Sequence, residues 1–283
     1  MTATETTERL FRIGHSPDPD DAFMFYALST GRVKIPGYFI EHRLEDIETL
    51  NHRAMQGEYE MTAISAHAYP SVAHLYQVMN TGASMGRGYG PVVIATRPTT
   101  LDALAGKRIA IPGEWTTAHL LYKIYAPAFE KVLVPFDQIM DAVRSGRVDA
   151  GVIIHEGQLT YADEGFVKVA DFGEIWERET DGLPLPLGLD AVRRDLGPDV
   201  IRDVAIALSG SIRYGYEHEE DAMEYARQYG RGIAKDLNNR FVRMYVSDDT
   251  IDMGEPGRRA LARLYEMAVQ RGFLAAPPPL DFV

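Results

Sequence analysis

The sequence predicts an α/β chain folded as two lobes around a cleft, and three observations predict it. Strand-like and helix-like segments alternate in βαβαβ order over residues 10–65 and again over 107–154, the pattern of a parallel sheet covered by helices. The stretch around Gly57 repeats around Gly146, 89 residues later: amphipathic helix, closing glycine, one or two intervening residues, an acid, then an apolar strand. Beyond Pro198 the pattern turns helical, as expected where helices carry the chain back to the first lobe.

Each element has its own signal. Residues 10–15 read as a strand, and Pro19, Asp20 and Asp21 open a helix over 22–29 that Gly31 ends. Residues 38–43 form a second strand, 46–55 a helix closed by Gly57, and 61–65 a third strand. A strand over 91–96 leads into Arg97-Pro98, a plausible crossing to the second lobe. There the series restarts: strand 107–111, helix 116–125 stopped by Pro127, strand 131–135, helix 138–144 closed by Gly146, strand 150–154. Pro184 and Pro186 stiffen an extended segment that suits a second crossing. The lobes are therefore expected at 1–96 with 187–283, and at 97–186. Helices are expected over 200–216, 219–229, 232–246 and 255–271, before the extended Ala275-Ala276-Pro277-Pro278-Pro279.

Composition removes several functions. A chain of 283 residues buries about 75% of its unfolded surface and needs no covalent staple. It has no cysteine, which excludes disulfides, thiolate zinc sites, iron–sulfur clusters and cysteine nucleophiles. With 46% apolar and 25% charged residues it has the profile of a soluble globule. The balance of 29 basic and 41 acidic residues gives a net charge of −12. That charge repels phosphate backbones and anionic bilayers, so neither nucleic acid nor membrane is expected as a partner. The start MTATETTERLFRIG lacks a basic leader followed by an apolar stretch. No run approaches the ~18 apolar residues of a membrane helix. A cytoplasmic protein acting on a small molecule is expected, and a homodimer is left open.

In open α/β sheets ligands sit at the carboxyl ends of the strands, between lobes where there are two. Those ends carry His15-Ser16-Pro17 and Ser65-Ala66-His67 in the first repeat. In the second they carry Pro112-Gly113 through Thr116-Thr117, and His155-Glu156. The repeat sets His155 where Ala66 stands, as the first polar group beyond the buried run Gly151-Val152-Ile153-Ile154. Histidine titrates near neutrality and suits a general base; the competing reading is a structural histidine at a strand end. Glu156 completes no zinc motif, because no second histidine follows at the required spacing. Thr116 and Thr117 open a helix whose first-turn N–H groups can hold an oxyanion, although simple capping, which threonine does everywhere, is the competing reading. Ser16, Asp20 and Asp21 hold the equivalent place in the first repeat. Capping suits those acids best, and they can also accept hydrogen bonds from sugar-like hydroxyls. Asp18, Asp20 and Asp21 match only the opening of a calcium loop, so no metal is expected. Gly86-Arg87-Gly88-Tyr89-Gly90 precedes a strand and not a helix, which rules out a dinucleotide loop. It reads as a tight backbone passage, with Arg87 a candidate partner for a carboxylate.

At these residues the sequence resembles the 1,4-dihydroxy-6-naphthoate synthases of the futalosine route to menaquinone. The landmarks are Ser16-Pro17-Asp18-Pro19-Asp20-Asp21 with Phe23, the run Leu44 to Asn51, and Gly86 to Pro91. Pro112-Gly113 with Thr116-Thr117-Ala118, Ile153-Ile154-His155-Glu156, and Gly182 to Gly188 complete the set. Each is weak alone; all of them in order are specific, and they span nearly the whole chain. The resemblance implies a two-lobed fold like that of type II periplasmic solute-binding proteins. It implies carbon–carbon cleavage of cyclic dehypoxanthinyl futalosine to 1,4-dihydroxy-6-naphthoate and dihydroxyacetone, without metal or organic cofactor. It implies His155 as the base, with substrate contacts at Ala63-Ile64-Ser65 and at Thr116-Thr117-Ala118. Asp21 matches the acid of a family motif that usually reads Ser-Pro-Cys-Pro-Asn-Asp, so Asp18 and Asp20 are departures from it. The alternative is a solute-binding module that captures a small carboxylate or polyol without catalysis. The missing leader and the histidine count against it. The match at Ile154-His155-Glu156 and at Leu183 to Gly188 also favours the synthases over the related chorismate dehydratases.

Overall fold

The computed structural model describes residues 8–232 and 234–283, so most of the N-terminal stretch read for a leader lies outside the described residues. The strands in chain order are β1 (Arg9–His15), β2 (Tyr38–Leu44), β3 (Met61–Ser65), β4 (Tyr76–Val78) and β5 (Ser84–Gly86). They continue as β6 (Val92–Ala95), β7 (Arg108–Ile111), β8 (Glu130–Leu133), β9 (Ala150–Ile153), β10 (Val167–Asp171) and β11 (Leu185–Arg193). They form two sheets, ordered β2-β1-β3-β11-β4, with β5 also on β11, and β8-β7-β9-β6-β10.

The expected repeat is present in the pairing. In the first sheet β1 lies between β2 and β3, parallel to both; in the second β7 lies between β8 and β9, again parallel to both. Helical crossovers impose this, because parallel neighbours cannot be joined by tight turns. Each trio is then flanked by an antiparallel strand from a distant stretch of chain: β11 beside β3 and β6 beside β9. The two helix-closing glycines both adopt positive φ, +64° at Gly57 and +73° at Gly146, as a left-handed helix end requires.

Both expected boundaries move, the first one further. Val92–Ala95 hydrogen-bonds to β9 and β10, so it belongs to the second sheet and not the first. The chain therefore crosses at the glycine-rich segment 87–91, before Arg97-Pro98. A strand's sheet is decided by its partner, and both partners of β6 lie more than fifty residues downstream. The return crossing lies just ahead of β11, whose first residues Leu185 and Pro186 already pair with β5 in the first sheet, slightly before the boundary expected after Pro186.

The helices mostly fall where their signals put them. Asp46 accepts from the N–H groups of Glu48 and Thr49, both at 3.1 Å, to cap Ile47–Met55. The helix expected over 22–29 is two pieces, Pro19–Met24 and Tyr26–Ser29. The expected 232–246 helix runs over Lys235–Tyr245, and Ile233 lies outside the described residues. The C-terminal helices Pro198–Glu217 and Gly254–Gln270 pack on the first lobe, burying Leu208 and Ile212 in one case and Leu264 and Tyr265 in the other. Among the described residues no helix is long and apolar enough to cross a membrane.

Candidate active site

A cavity of about 110 Å³ lies between the lobes, at the carboxyl ends of the central strands. Ser16, Asp21, Ala63, Ile64, Ser65, Thr116, Thr117, Ala118 and His155 all line it. These are the residues singled out from sequence, with one exception. Arg87 lies outside, donating from Nε and Nη2 to Asp249 at 2.6 and 2.7 Å and bordering a separate surface pocket. Its partner sits 162 residues away on the C-terminal side, which spacing could not reveal.

His155 is held from several sides. It follows β9 at φ +60°, a left-handed conformation uncommon outside glycine and retained where surrounding contacts enforce it. Its Nδ1 lies 3.0 Å from Asp18 Oδ2, so the pair joins the second lobe to the first. The other Asp18 oxygen accepts from Arg231, whose second nitrogen reaches Glu156 Oε1 at 2.8 Å. The Phe136 ring lies 4.4 Å from the imidazole, centroid to centroid, and 4.8 Å below the Arg231 guanidinium. The buried Nε2 has no hydrogen-bond partner among the described residues.

Electrostatics separates the acids of this cavity. Burial pushes the His155 pKa down, but the charge and hydrogen bond of Asp18, with Glu156 and Asp20, outweigh it and leave it raised. Burial likewise opposes ionisation of Asp18, yet His155 and Arg231 hold its carboxyl below the usual range. Asp20 and Asp21 have no such partner. Burial and the neighbouring carboxylates push Asp21 up to about 7 and Asp20 well above the ordinary value. Asp21 accepts from the Ser16 N–H at 2.6 Å and hydroxyl at 2.9 Å, so Ser16 and Asp21 engage each other.

The opposite wall is organised around the 117–125 helix. The Thr116 hydroxyl accepts from His119 N–H at 3.3 Å and donates to Gly113 O at 2.9 Å, which is the capping role. Thr117 donates to Leu187 O at 2.6 Å across the cleft. Both hydroxyls are thus spent on structure, and the first-turn amides of Thr117 and Ala118 remain to face an anion. Ser65 is fixed by Asn51, which accepts from its N–H at 2.8 Å and donates to its hydroxyl at 3.0 Å. His67 points away: its Nδ1 contacts Thr116 O at 3.1 Å and burial lowers its pKa to about 3. Glu48 accepts from the Trp115 N–H at 3.0 Å and closes the lobes at this end.

Sequence reasoning missed several members of the wall. Asp190 on β11, Gln158 and Tyr245 line the cavity, and Gln158 Nε2 donates to the Tyr245 hydroxyl at 2.8 Å. Arg231 braces its edge through Asp18. An acid inside the apolar run Leu187 to Val192 was the available signal for Asp190; Tyr245 and Arg231 had none. Asp18, His155 and Glu156 bring one donor atom each within 4.8 Å of one another, a spacing a metal could use. Two of the three already hold a cation, the Arg231 guanidinium, so the cluster reads as an ion network.

Comparison with known proteins identifies the family and the fold. A family model described as menaquinone biosynthesis matches residues 11–270. The chain is 45% identical to a 1,4-dihydroxy-6-naphthoate synthase of Thermus thermophilus over 268 residues, 95% of this chain and 97% of that one. A crystal structure of a protein from Archaeoglobus fulgidus, 49% identical, superposes with a TM-score of 0.89 over 94% of this chain and 98% of that one. The periplasmic aliphatic sulphonate binding protein of Escherichia coli superposes with a TM-score of 0.65 over 95% and 90% of the two chains. At 11% identity that likeness is one of fold alone, and the fold is that of the periplasmic binding proteins.

Proposed function

Because the chain belongs to the menaquinone biosynthesis family, we propose that it cleaves cyclic dehypoxanthinyl futalosine to 1,4-dihydroxy-6-naphthoate and dihydroxyacetone in the cytoplasm, with His155 as the base. The observation that carries this reading is the His155–Asp18 pair, set across the cleft in the cavity wall, with Nε2 buried and without a hydrogen-bond partner among the described residues.

Asp18 accepts from Nδ1–H, which fixes the tautomer that leaves the Nε2 lone pair facing the substrate. Nε2 takes a proton, electrons flow into the forming aromatic ring, and the bond to the three-carbon fragment breaks. The imidazolium that results lies against the Asp18 carboxylate, which stabilises it. The fragment acquires a proton as it leaves, so the substrate divides into two products with no net oxidation. The substrate carboxylate meets the amides of Thr117 and Ala118, whose helix end favours negative charge. Lobe closure excludes water while the charge moves.

Incubation with cyclic dehypoxanthinyl futalosine, followed by chromatography for the naphthoate, tests the reading with His155→Ala alongside. Turnover by the wild type and its loss in a folded variant is the expected result. No turnover, with thermal stabilisation by other small carboxylates or polyols, points instead to a binding module.

A further inference from the structure

The cavity has a second chemical pole that the base does not use. Asp190 is 1% exposed and lines the cavity from β11, and neither of its carboxyl oxygens has a hydrogen-bond partner among the described residues. Buried carboxyls are ordinarily satisfied, so an orphaned one in a cavity wall requires an explanation. The surroundings make room for it. A Cβ on Gly82 would stand 2.1 Å from Asp190 Oδ2, so a glycine is what leaves this carboxyl its space. Opposite it on β3 is Ala63, another small residue of the same wall.

The pole is also opposite in character to the helix end. Leu187, which receives the Thr117 hydroxyl, lies three residues from Asp190 on one strand, a separation of about 10 Å at the rise of an extended chain. One end of the cavity thus offers helix amides suited to a carboxylate. The other is ringed by Asp20, Asp21 and Asp190, which would repel a carboxylate and instead suit hydroxyl and keto oxygens. Asp21, on the 19–24 helix, is the charged group acting on Asp190; Ala63 and Val78 on the adjacent strands and Gly82 carry no charge.

We infer that Asp190 works as a neutral carboxylic acid that donates a hydrogen bond to an oxygen of the hydroxylated three-carbon fragment of the substrate. This rests on the proposed reaction, since the fragment is the dihydroxyacetone that leaves. Burial, reinforced by Asp21, pushes the Asp190 pKa well above its ordinary value and so favours the neutral, protonated form. In the cleavage Asp190 keeps its proton and holds the hydrogen bond as charge grows on the fragment oxygen, while His155 takes a proton from the substrate. Solvent protonates the departing fragment and discharges His155, so protons balance over the cycle.

Two variants and one probe test the assignment. Asp190→Asn keeps a neutral donor of similar shape, whereas Asp190→Leu removes it. Turnover in the leucine variant is expected to fall about 100-fold, and in the asparagine variant about 10-fold or less. The wild-type rate falls at alkaline pH as Asp190 ionises, and the asparagine variant loses that fall. Binding of dihydroxyacetone itself, by calorimetry, needs no turnover and separates this assignment from the reaction assignment. The wild type and Asp190→Asn bind it, and Asp190→Leu binds at least tenfold more weakly. Equal binding by the leucine variant, or none by the wild type, overturns the assignment even where turnover is observed. An alkaline fall that persists in Asp190→Asn does the same.

Discussion

The carboxyl ends of β3 and β9 are the same place in two copies of one plan, and they carry opposite contents. Both strands sit beside the central strand of a parallel trio, and both are flanked outward by an antiparallel strand. At the end of β3 stands Ala66, fully buried, its carbonyl accepting from the Tyr265 hydroxyl of the C-terminal helix at 2.8 Å. At the end of β9 stands His155, bent into a left-handed turn over the cavity. The C-terminal helices cover the first lobe at this point. The shared plan offers two equivalent positions; packing of the C-terminal helices closes one, and the other borders the cavity. The first lobe still contributes, through Asp18, which reaches across to the histidine it lacks a counterpart for.

The largest test of this contrast is His155→Ala. Turnover should fall by about 10²–10⁴-fold, the usual range for a general base, while circular dichroism and the melting temperature stay near wild type. The reverse exchange, Ala66→His, should yield no second base. It forces an imidazole into a packed wall and is expected to destabilise by about 1–3 kcal/mol, read as a lower midpoint in urea.

Asp18→Asn sharpens the comparison by uncoupling the lobes. A base must be unprotonated, so the rate rises as pH increases through the His155 pKa. Asp18 holds that pKa above its ordinary 6.5. Removing its charge lowers the pKa, so the acid limb of the kcat profile should move to lower pH while the plateau falls about tenfold or more. An acid limb unmoved by Asp18→Asn would falsify the pairing as the source of the histidine's basicity.

Asp190→Asn should stabilise the protein at pH 8. The folded-state pKa of Asp190 is raised from 3.8, so stability is full below that value and is lost as pH rises toward the raised one. The amide escapes this loss, and the gain in melting temperature should vanish near pH 3.5. The smallest effect is Thr116→Ala, which removes a helix cap for about 1 kcal/mol, a decrease of a few degrees in melting temperature with kcat nearly unchanged. A large loss of kcat there would mean the hydroxyl does more than cap.

How much of this was legible depends on how far apart the partners lie. The parallel trios were readable because a strand, a helix and a glycine stop are written in neighbouring residues. Tyr76–Val78 and Ser84–Gly86 were not, because three residues show no period and these strands exist by pairing with β11, over a hundred residues later. The same reason moved Val92–Ala95 to the second sheet. At the site, position after a strand identified His155, Ser65 and the Thr116-Thr117 turn. Arg87 was read as a partner for a carboxylate, but which carboxylate was not legible, because Asp249 is brought to it only by the C-terminal helices.

By itself the sequence determined the α/β class, the repeated unit, the cleft and the histidine, because all of these follow from local periodicity and order along the chain. The tertiary structure alone decided the partner of that histidine, the brace Arg231 makes to Asp18 and Glu156, and the buried acid pole at Asp190. Those are contacts between groups 75 to 213 residues apart, and a carboxylate's charge state is set by what surrounds it, not by its neighbours in sequence.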